Sequence, residues 1–266
     1  MAPGDVLDHP LVLAVLFHPR REGSGFGFGQ KRGESVSFPV AAGVAVGGRL
    51  HRATAASPLL VLFHGNGEIA EDYDDLAPLY LSLGISFLVV DFRGYGRSDG
   101  APTSSALLAD SRAIREGLRG VLQAHGIEPT VRIFVMGRSL GSAAGLEWAV
   151  GAADLSGLIL ESAFADTFPL IARLGCPFVE DHDESEGFGN LEKVARVTVP
   201  TLVIHGVEDW IIPVADGRAL AHHSGADKKW LITVPEAGHN DLMLVGRQVY
   251  FQAIRQFVLE GEVTVR

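Results

Sequence analysis

The stretch Val135–Ala144 reads VMGRSLGSAA and sets Ser139 between Gly137 and Gly141. An apolar segment rich in β-branched residues leads into it, and small helix-forming residues follow it. This order predicts a strand, a tight turn and a helix, which is the pattern of a nucleophile elbow. The flanking glycines leave room for a strained turn, and the helix N-terminus favours negative charge at the hydroxyl. The alternative is an ordinary turn in which the serine only caps the helix.

Apolar runs and helix-like runs alternate on both sides of this elbow. Strands are predicted at 34–40, 44–52, 59–63, 85–90, 131–136, 158–160, 201–204 and 230–234, and helices at 68–83, 105–125, 143–150, 214–223 and 241–259. The first two strands are expected to pair antiparallel, and the later alternation predicts a parallel sheet with right-handed crossovers. Residues 34–266 are therefore expected to form one α/β domain after an N-terminal lead-in, 1–33. The apolar run 11–17 in the lead-in fits a helix or a strand.

The composition limits the classes of partner. The chain of 266 residues is 47% hydrophobic and carries a formal net charge of −10, which disfavours nucleic acid or an anionic membrane as a partner. Cys176 is its one cysteine, so an intrachain disulfide and a cysteine metal cluster are excluded. The run Leu11–Phe17 is too short to span a membrane and lacks the basic upstream flank of a secretory signal. We expect a soluble, cytoplasmic protein without stable membrane association.

Three polar residues that follow predicted strands form a candidate catalytic set. Ser139, Asp209 and His239 occur in the order nucleophile, acid and histidine. A serine hydroxyl needs an imidazole to accept its proton, and the imidazole needs a carboxylate to hold its tautomer and stabilise its cation. Because the carboxyl ends of parallel strands meet at one edge of a sheet, these three side chains are expected to come together.

Two of these assignments have competitors. Glu208 stands next to Asp209 and is the alternative acid, although the sequence favours Glu208 facing solvent. Nine other histidines are present, and His239 is favoured because it follows the last predicted strand by five residues. His205 is expected to structure the acid loop rather than to react.

Two further features are expected to support the nucleophile. An oxyanion hole needs two N–H donors, and the candidates are the backbone N–H groups of Leu140 and Asn66. Asn66 lies in the stretch HGNG, 64–67, after the first buried strand, for which an ordinary loop is the alternative. Arg138 in the elbow and Glu161 at the end of the next strand are expected to form an ion pair, because a partly buried guanidinium needs a carboxylate.

Residues 163–196 interrupt the alternation and are predicted to form a small lid. Their acidic run, 180–186, allows two interpretations: a solvated loop, which is favoured, or a metal site at Asp181, His182, Asp183 and Glu184. A lid of this size leaves the site partly open, so short to medium acyl chains are expected. The apolar residues assigned to an acyl pocket, some of which could belong to the core, are Phe164, Phe168, Leu170, Phe178, Trp210 and Leu242.

Six motifs occur together in the order typical of the α/β-hydrolase superfamily. They are HGNG (64–67), DFRGYGRS (91–98), GRSLG (137–141), ES (161–162), HGVED (205–209) and GHND (238–241). From about residue 34 to the C-terminus the chain resembles the Bem46-like branch, which includes the small serine hydrolases described as ABHD13-like and ABHD17-like. The resemblance implies the α/β-hydrolase fold, with a mostly parallel eight-stranded sheet and helices on both faces. It also implies serine-dependent hydrolysis with no cofactor or metal.

The resemblance and the residues leave three functions open. Relatives of this type cleave carboxylic esters or thioesters, some from acylated proteins, so a serine hydrolase acting on a small-molecule or acylated substrate is the leading prediction. An aminopeptidase-like amidase is the second, in which the acidic lid binds a substrate amine. The third is a catalytically silent binding module, which would have no need for a complete set of Ser139, Asp209 and His239. The sequence carries no signal for an oligomeric state.

Overall fold

The computed structural model describes residues 6–23, 33–176, 179 and 182–265. The predicted pocket residue Phe178 and the acidic residues Glu180 and Asp181 therefore lie outside the described residues. One eight-stranded sheet forms the centre. Its strands are β1 (Glu34–Ala41), β2 (Val44–His51), β3 (Leu59–Phe63), β4 (Ser86–Val90), β5 (Ile133–Arg138), β6 (Gly157–Glu161), β7 (Thr201–Gly206) and β8 (Lys229–Val234).

The strand order is β1-β2-β4-β3-β5-β6-β7-β8. The pair β1 and β2 is antiparallel, β2 is antiparallel to β4, and the remaining neighbours are parallel. The mostly parallel sheet and the antiparallel first pair are confirmed. Strand β5, which leads to the elbow, lies near the middle of the sheet, so its carboxyl end is surrounded by loops from both sides.

Helices cover both faces of the sheet. They are α1 (Pro10–Leu16), α2 (Ala77–Ser82), α3 (Ser104–Ala124), α4 (Gly141–Ala149), α5 (Thr167–Arg173), α6 (Asn190–Ala195), α7 (Val214–His223), α8 (Leu242–Val245) and α9 (Arg247–Arg255). Short 3₁₀ turns at Ala70–Tyr73 and Glu184–Glu186 and a π turn at Gln256–Glu260 add to them. Alternate residues of β3 enter two different apolar clusters: Leu60 and Leu62 enter one, and Val61 and Phe63 the other. This explains why the central strands read as unbroken apolar runs.

Two predicted helices are interrupted. The stretch 68–83 forms a 3₁₀ turn and then α2, with Pro78 at the start of α2, because proline cannot continue a helix from the preceding turn. The stretch 241–259 divides at Gly246 into α8 and α9. Both interrupted stretches contribute residues to the apolar cluster on the face of the sheet away from α3 and α4.

The apolar run of the lead-in is a helix, α1, and it is packed into the main core. Val12 and Leu16 are buried there, together with Val6, Leu7 and Phe17 around the helix. The helix also contacts α5 of the lid. Residues 6–17 thus contribute apolar surface to the core of the α/β domain, and the domain boundary near residue 33 stays a prediction.

The segment 163–196, for which a lid is predicted and which is called the lid segment or lid below, contains two short helices, α5 and α6, rather than only irregular chain. Two of its described acidic residues bond to other residues of the segment. The carboxylate of Glu184 accepts hydrogen bonds from the backbone N–H of Thr167 at 2.8 and 2.9 Å and from its hydroxyl. Nδ1 of His182 lies 2.7 Å from a carboxylate oxygen of Glu186. These two carboxylates therefore hold the lid together.

Across the described ranges, every helix is too short or too polar to traverse a bilayer.

Candidate active site

The elbow has a strained backbone conformation at Ser139, and the two glycines of the motif leave room for it. Ser139 has a φ of 52°, in the left-handed region that a residue with a side chain rarely adopts. A Cβ on Gly137 would lie 2.5 Å from the Cα of Ser142, and a Cβ on Gly141 would lie 2.1 Å from the carbonyl oxygen of Phe63. Both positions therefore exclude any larger residue, which gives the spacing of the GRSLG motif a direct steric cause.

The three residues of the predicted catalytic set lie in one hydrogen-bonded chain. Oγ of Ser139 is 2.9 Å from Nε2 of His239. Nδ1 of His239 is 2.7 Å from Oδ2 of Asp209. The loops after β5, β7 and β8 supply the three side chains, as expected for the carboxyl edge of a parallel sheet.

Asp209 is fixed by its own loop. Its Oδ1 accepts the backbone N–H groups of Ile211 at 3.0 Å and Ile212 at 2.8 Å, while Oδ2 faces His239. Burial by itself would raise the pKa of Asp209, but hydrogen bonds from His205 and His239 hold that pKa well below its ordinary value. The carboxylate is therefore ionised at neutral pH and can stabilise an imidazolium.

Glu208 and His205 take the structural positions expected of them. The side chain of Glu208 faces solvent, while its backbone N–H donates to the carbonyl of Ala237. Nε2 of His205 lies 2.8 Å from the carbonyl oxygen of Ile212 and 3.5 Å from Oδ2 of Asp209, so the ring supports the acid loop from inside.

Leu140 and Asn66, the predicted oxyanion donors, both lie in the wall of the cavity that contains Ser139 and His239. Within the described ranges neither backbone N–H has a protein acceptor. Two unpaired donors beside the nucleophile are available for a charge that develops on a substrate oxygen.

The predicted ion pair between Arg138 and Glu161 is confirmed, with Nε of Arg138 3.1 Å from Oε1 of Glu161. Sequence reasoning missed the second partner, Glu68, which also pairs with the guanidinium. Nη2 of Arg138 completes the set by donating to the backbone carbonyl of His239 at 2.9 Å and to Oδ1 of Asn240 at 3.1 Å. One buried guanidinium thus connects three segments: the elbow, the loop 64–68 that carries the candidate donor Asn66 (the oxyanion loop below), and the loop 235–241 that carries His239 (the histidine loop below).

The two carboxylates that face Arg138 differ in the net shift of their pKa, although burial acts to raise both. It raises the pKa of Glu161 above its ordinary value, although Arg138 and the hydroxyl of Tyr250, 2.6 Å away, oppose the rise. Burial also acts to raise the pKa of Glu68, but Arg138 and the hydroxyl of Tyr73 lower it overall. The principal ionic partner of Arg138 is therefore Glu68, from outside the elbow.

The cavity has a volume of about 240 Å³, and its lining consists of a polar and an apolar set of residues. The polar set, called the polar side below, is Ser139, His239, Asn66, Arg138, Asn240 and His18. The apolar set, called the apolar side below, is Val15, Leu16, Leu140, Leu170, Leu174 and Ile211. An apolar group bonded to a polar reacting centre fits this division.

Of the six residues assigned to the pocket from sequence, Leu170 lines the cavity. Phe164 and Phe168 are buried in the core instead, against Phe188 and His182 respectively. Leu242 is buried in the apolar cluster on the opposite face of the sheet. Trp210 is 85% exposed and does not line the cavity. The sequence identified apolar residues near the site but could not separate core positions from cavity positions.

The residues that sequence reasoning missed come from α1, its following loop and the lid. Val15, Leu16 and His18 line the cavity from the N-terminal side, and Leu174 lines it from the end of α5. The signal for α1 was the apolar run 11–17, whose secondary structure and docking position a single sequence leaves open.

A metal interpretation of the lid finds no support in the part of the lid that is described. No group of three His, Cys, Asp or Glu side chains there, or elsewhere among the described residues, could hold a metal ion. Of the four residues named for it, three are described, and each has another partner: Glu184 bonds to Thr167, His182 to Glu186, and Asp183 accepts the backbone N–H of Ser185.

Comparison with known proteins agrees with this geometry. A family model described as serine aminopeptidase, S33, matches residues 54–177. The chain is 31% identical over 215 residues to human α/β hydrolase domain-containing protein 17B, covering 77% of this chain and 68% of that protein. It is 28% identical over 212 residues to the protein Bem46 of Schizosaccharomyces pombe, covering 77% and 69%. The Pyrococcus furiosus esterase Pf2001 has the same fold, with a TM-score of 0.72 at 17% identity over 91% of this chain and 98% of the esterase. The chain thus belongs to the α/β-hydrolase family, in the branch that contains Bem46 and the ABHD17-type proteins.

Proposed function

We propose that this protein is a serine hydrolase that cleaves carboxylic esters or thioesters through an acyl-enzyme on Ser139. The observation that carries the proposal is the unbroken relay from Oγ of Ser139 through His239 to Asp209, at 2.9 and 2.7 Å. Ser139 and His239 of this relay line a cavity that also has six apolar lining residues. The Pyrococcus relative is itself an esterase, which agrees with this chemistry.

In the first half of the reaction, Oγ of Ser139 attacks the substrate carbonyl while Nε2 of His239 takes its proton. The imidazolium keeps its Nδ1–H directed at Asp209, whose low pKa keeps it ionised as the positive charge forms. The N–H groups of Leu140 and Asn66 receive the negative charge on the carbonyl oxygen. Collapse of the tetrahedral intermediate expels an alcohol or thiol, which leaves with the proton from His239.

In the second half, water attacks the acyl-enzyme. His239 takes a proton from the water, the same two N–H groups stabilise the second tetrahedral intermediate, and His239 passes that proton to Oγ of Ser139 as the carboxylic acid leaves. The proton that Ser139 lost leaves with the alcohol or thiol and a proton from water replaces it, so one water is consumed and the protein returns to its starting state.

The ester or thioester reaction is favoured over the aminopeptidase alternative by the position of the lid carboxylates. Among the described residues, Glu184 and Glu186 bond to Thr167 and His182, and none of the residues that line the cavity is acidic. A substrate α-amine would therefore find no carboxylate within the described cavity wall, whereas an apolar acyl group finds six apolar residues.

A fluorophosphonate probe tests the nucleophile. We expect stoichiometric labelling of the wild-type protein at Ser139, located by peptide mapping, and none in Ser139→Ala. Ser142→Ala is the matched control, since the Ser142 hydroxyl bonds to the backbone carbonyl of Ser139 and not to His239, and this variant should still label. Labelling that persists in Ser139→Ala would contradict the proposal.

The reaction itself is tested with p-nitrophenyl esters and matched thioesters of increasing acyl length. We expect hydrolysis by the wild type, with kcat/KM rising about fourfold for each methylene that enters the apolar side, and then a plateau among short to medium chains. Labelled protein should be inactive. A wild-type protein that labels at Ser139 but hydrolyses no ester, thioester or amide would favour the binding-module alternative.

A further inference from the structure

The N-terminal segment crosses the oxyanion loop and makes specific polar contacts with it. The backbone N–H of His18 donates to Oδ1 of Asn66 at 2.8 Å and lies 2.7 Å from the hydroxyl of Tyr95. Arg20 donates from Nε to the carbonyl of Gly67 at 2.6 Å and pairs with Asp72. These contacts join positions 47 to 77 residues apart in sequence, so they come from docking and not from local structure.

The side chain of Asn66 is occupied at both ends. Its Oδ1 accepts from His18 and from the hydroxyl of Tyr95 at 3.0 Å. Its Nδ2 donates to the carbonyl of Val15 at 3.4 Å and lies 3.1 Å from Nδ1 of His18. The amide is therefore unavailable to substrate, and its contacts fix the backbone that carries the oxyanion donor.

The same segment supplies one wall of the cavity. Val15 and Leu16, in the last turn of α1, line the cavity. Leu170 and Leu174 of the lid line it as well. Because α1 also contacts α5, the apolar side of the cavity lies between two helices from distant parts of the chain. A side chain at position 15 thus limits the room for an acyl group.

We propose that residues 15–20 are a working part of the active site with two roles. Val15 and Leu16 determine which acyl lengths are accepted, and the contacts of Asn66 with Val15, His18 and Tyr95 position the oxyanion loop. The inference rests on the proposed ester or thioester hydrolysis and adds specificity-determining and positioning residues to it.

The specificity role is tested by changing the size of residue 15 and measuring kcat/KM across the p-nitrophenyl ester series. Val15→Phe should move the plateau to shorter chains, with a loss of about fourfold for each methylene that no longer fits. Val15→Ala should move it to longer chains, and its opposite direction keeps the test valid if the larger side chain impairs folding. Leu11→Phe is the matched control, since Leu11 lies one turn earlier on α1, is 58% exposed and does not line the cavity.

The positioning role is tested by Asn66→Ala, which removes the side-chain contacts but keeps the backbone N–H. We expect kcat to fall about 10- to 100-fold by the same factor at every chain length, with KM little changed, because a displaced oxyanion donor weakens only the transition state. A Val15 variant should instead change the dependence on chain length. Complete fluorophosphonate labelling of each variant counts the folded sites, so a loss of folded protein is separated from a loss of turnover.

The outcomes separate the two proposals. A wild type that hydrolyses these esters, with Val15→Phe and Val15→Ala both giving the chain-length profile of Leu11→Phe, would overturn the specificity role and leave the proposed function standing. Unchanged kcat in Asn66→Ala would overturn the positioning role in the same way. A wild type without hydrolysis at any length would overturn the proposed function, and this inference with it.

Discussion

The two sides of the active-site cavity are built by different means. Apart from His18, the polar side comes from the carboxyl edge of the sheet, at or directly after buried strands, and its residues lie within recognisable motifs. The apolar side is formed mainly by α1 and α5, two short helices that pack across the sheet edge from the N-terminal lead-in and the lid. Chemistry is thus encoded locally, whereas the shape of the pocket depends on long-range packing.

This difference has consequences for substitution. A residue on the polar side acts on a charge or a proton, so its loss changes the barrier of a chemical step by several kcal/mol. A residue on the apolar side contributes contact area, and each buried methylene of substrate contributes only about 0.8 kcal/mol. The polar side therefore tolerates almost no variation, while the apolar side can vary and change specificity.

The largest effect is expected from the acid of the relay. Asp209→Asn keeps the shape of the side chain but favours the wrong tautomer of His239, so kcat should fall on the order of 10⁴-fold. Glu208→Gln is the matched control, because Glu208 faces solvent, and its kcat should stay at the wild-type value. Steady-state kinetics on one short ester gives both numbers. A large loss of kcat in Glu208→Gln with little loss in Asp209→Asn would show that Glu208 is the acid. It would also contradict the account of the polar side given above.

The next effect concerns the buried guanidinium beneath that side. Arg138→Met leaves Glu68 and Glu161 without their cation, so unfolding in urea should show a loss of about 3–5 kcal/mol. Arg112→Met removes the pair between the exposed side chain of Arg112 and Glu147, which keeps its second partner Lys193, and should cost at most about 1 kcal/mol. Equal losses in the free energy of unfolding would show that the ion pairs of Arg138 contribute no more to stability than the pair of Arg112 with Glu147.

The same arginine is expected to affect kcat, because Nη2 of Arg138 donates to the backbone carbonyl of His239 at 2.9 Å and so helps to position that residue. Arg138→Lys keeps the charge but cannot reproduce a fork that reaches two carboxylates and a carbonyl together. In this variant kcat should fall at least about tenfold even where the protein stays folded. Unaltered kcat in folded protein would limit Arg138 to a role in stability.

How much of this could be predicted from the sequence depends on the range of the interactions. The elbow, the acid loop and the histidine loop each combine an apolar strand with turn residues, so Ser139, Asp209 and His239 could be identified from local patterns. The pair of Arg138 with Glu161 was also predictable, because β5 and β6 are consecutive and place these two residues side by side. Because these two strands are neighbours in the sheet, residues that are expected to be close from the strand order are in contact.

The rest could not be derived because it depends on docking. Glu68 reaches Arg138 from seventy positions away, and no local pattern marks it as a partner. A seven-residue helix such as α1 has too few turns to show its period, and nothing in its sequence states which groove it fills. Phe164 and Phe168 have the same apolar character in the core as they would have in a pocket. Pocket composition is therefore the least predictable part of this site.

A smaller effect tests the steric contact between the elbow and the oxyanion loop. Gly141→Ala places a methyl group 2.1 Å from the carbonyl oxygen of Phe63, where neither backbone can yield without moving the site, so a loss of about 1–3 kcal/mol or more is expected in urea unfolding. Gly117→Ala in α3 is the matched control, since nothing lies within 4 Å of its added methyl group. It should stabilise the protein by about 1 kcal/mol through helix propensity. Destabilisation by both would show that the cost is not specific to the elbow.

The smallest effect separates the structural contribution of Asp209 from its chemical one. Its pKa is lower in the folded protein than in the unfolded chain, where it is near 3.9, because hydrogen bonds from His205 and His239 outweigh burial. The folded state therefore binds fewer protons, and the stabilisation is fully present above about pH 4 and is lost as the pH falls towards the folded pKa. Relative to Asp209→Asn, which does not titrate, the wild type should lose about 1.4 kcal/mol of its advantage for each pH unit below that value. Urea unfolding of both proteins at pH 7, 5, 4 and 3 measures the difference. A constant difference across this series would mean that the carboxylate of Asp209 serves the reaction but not the fold, which would sharpen the contrast between the two sides of the cavity.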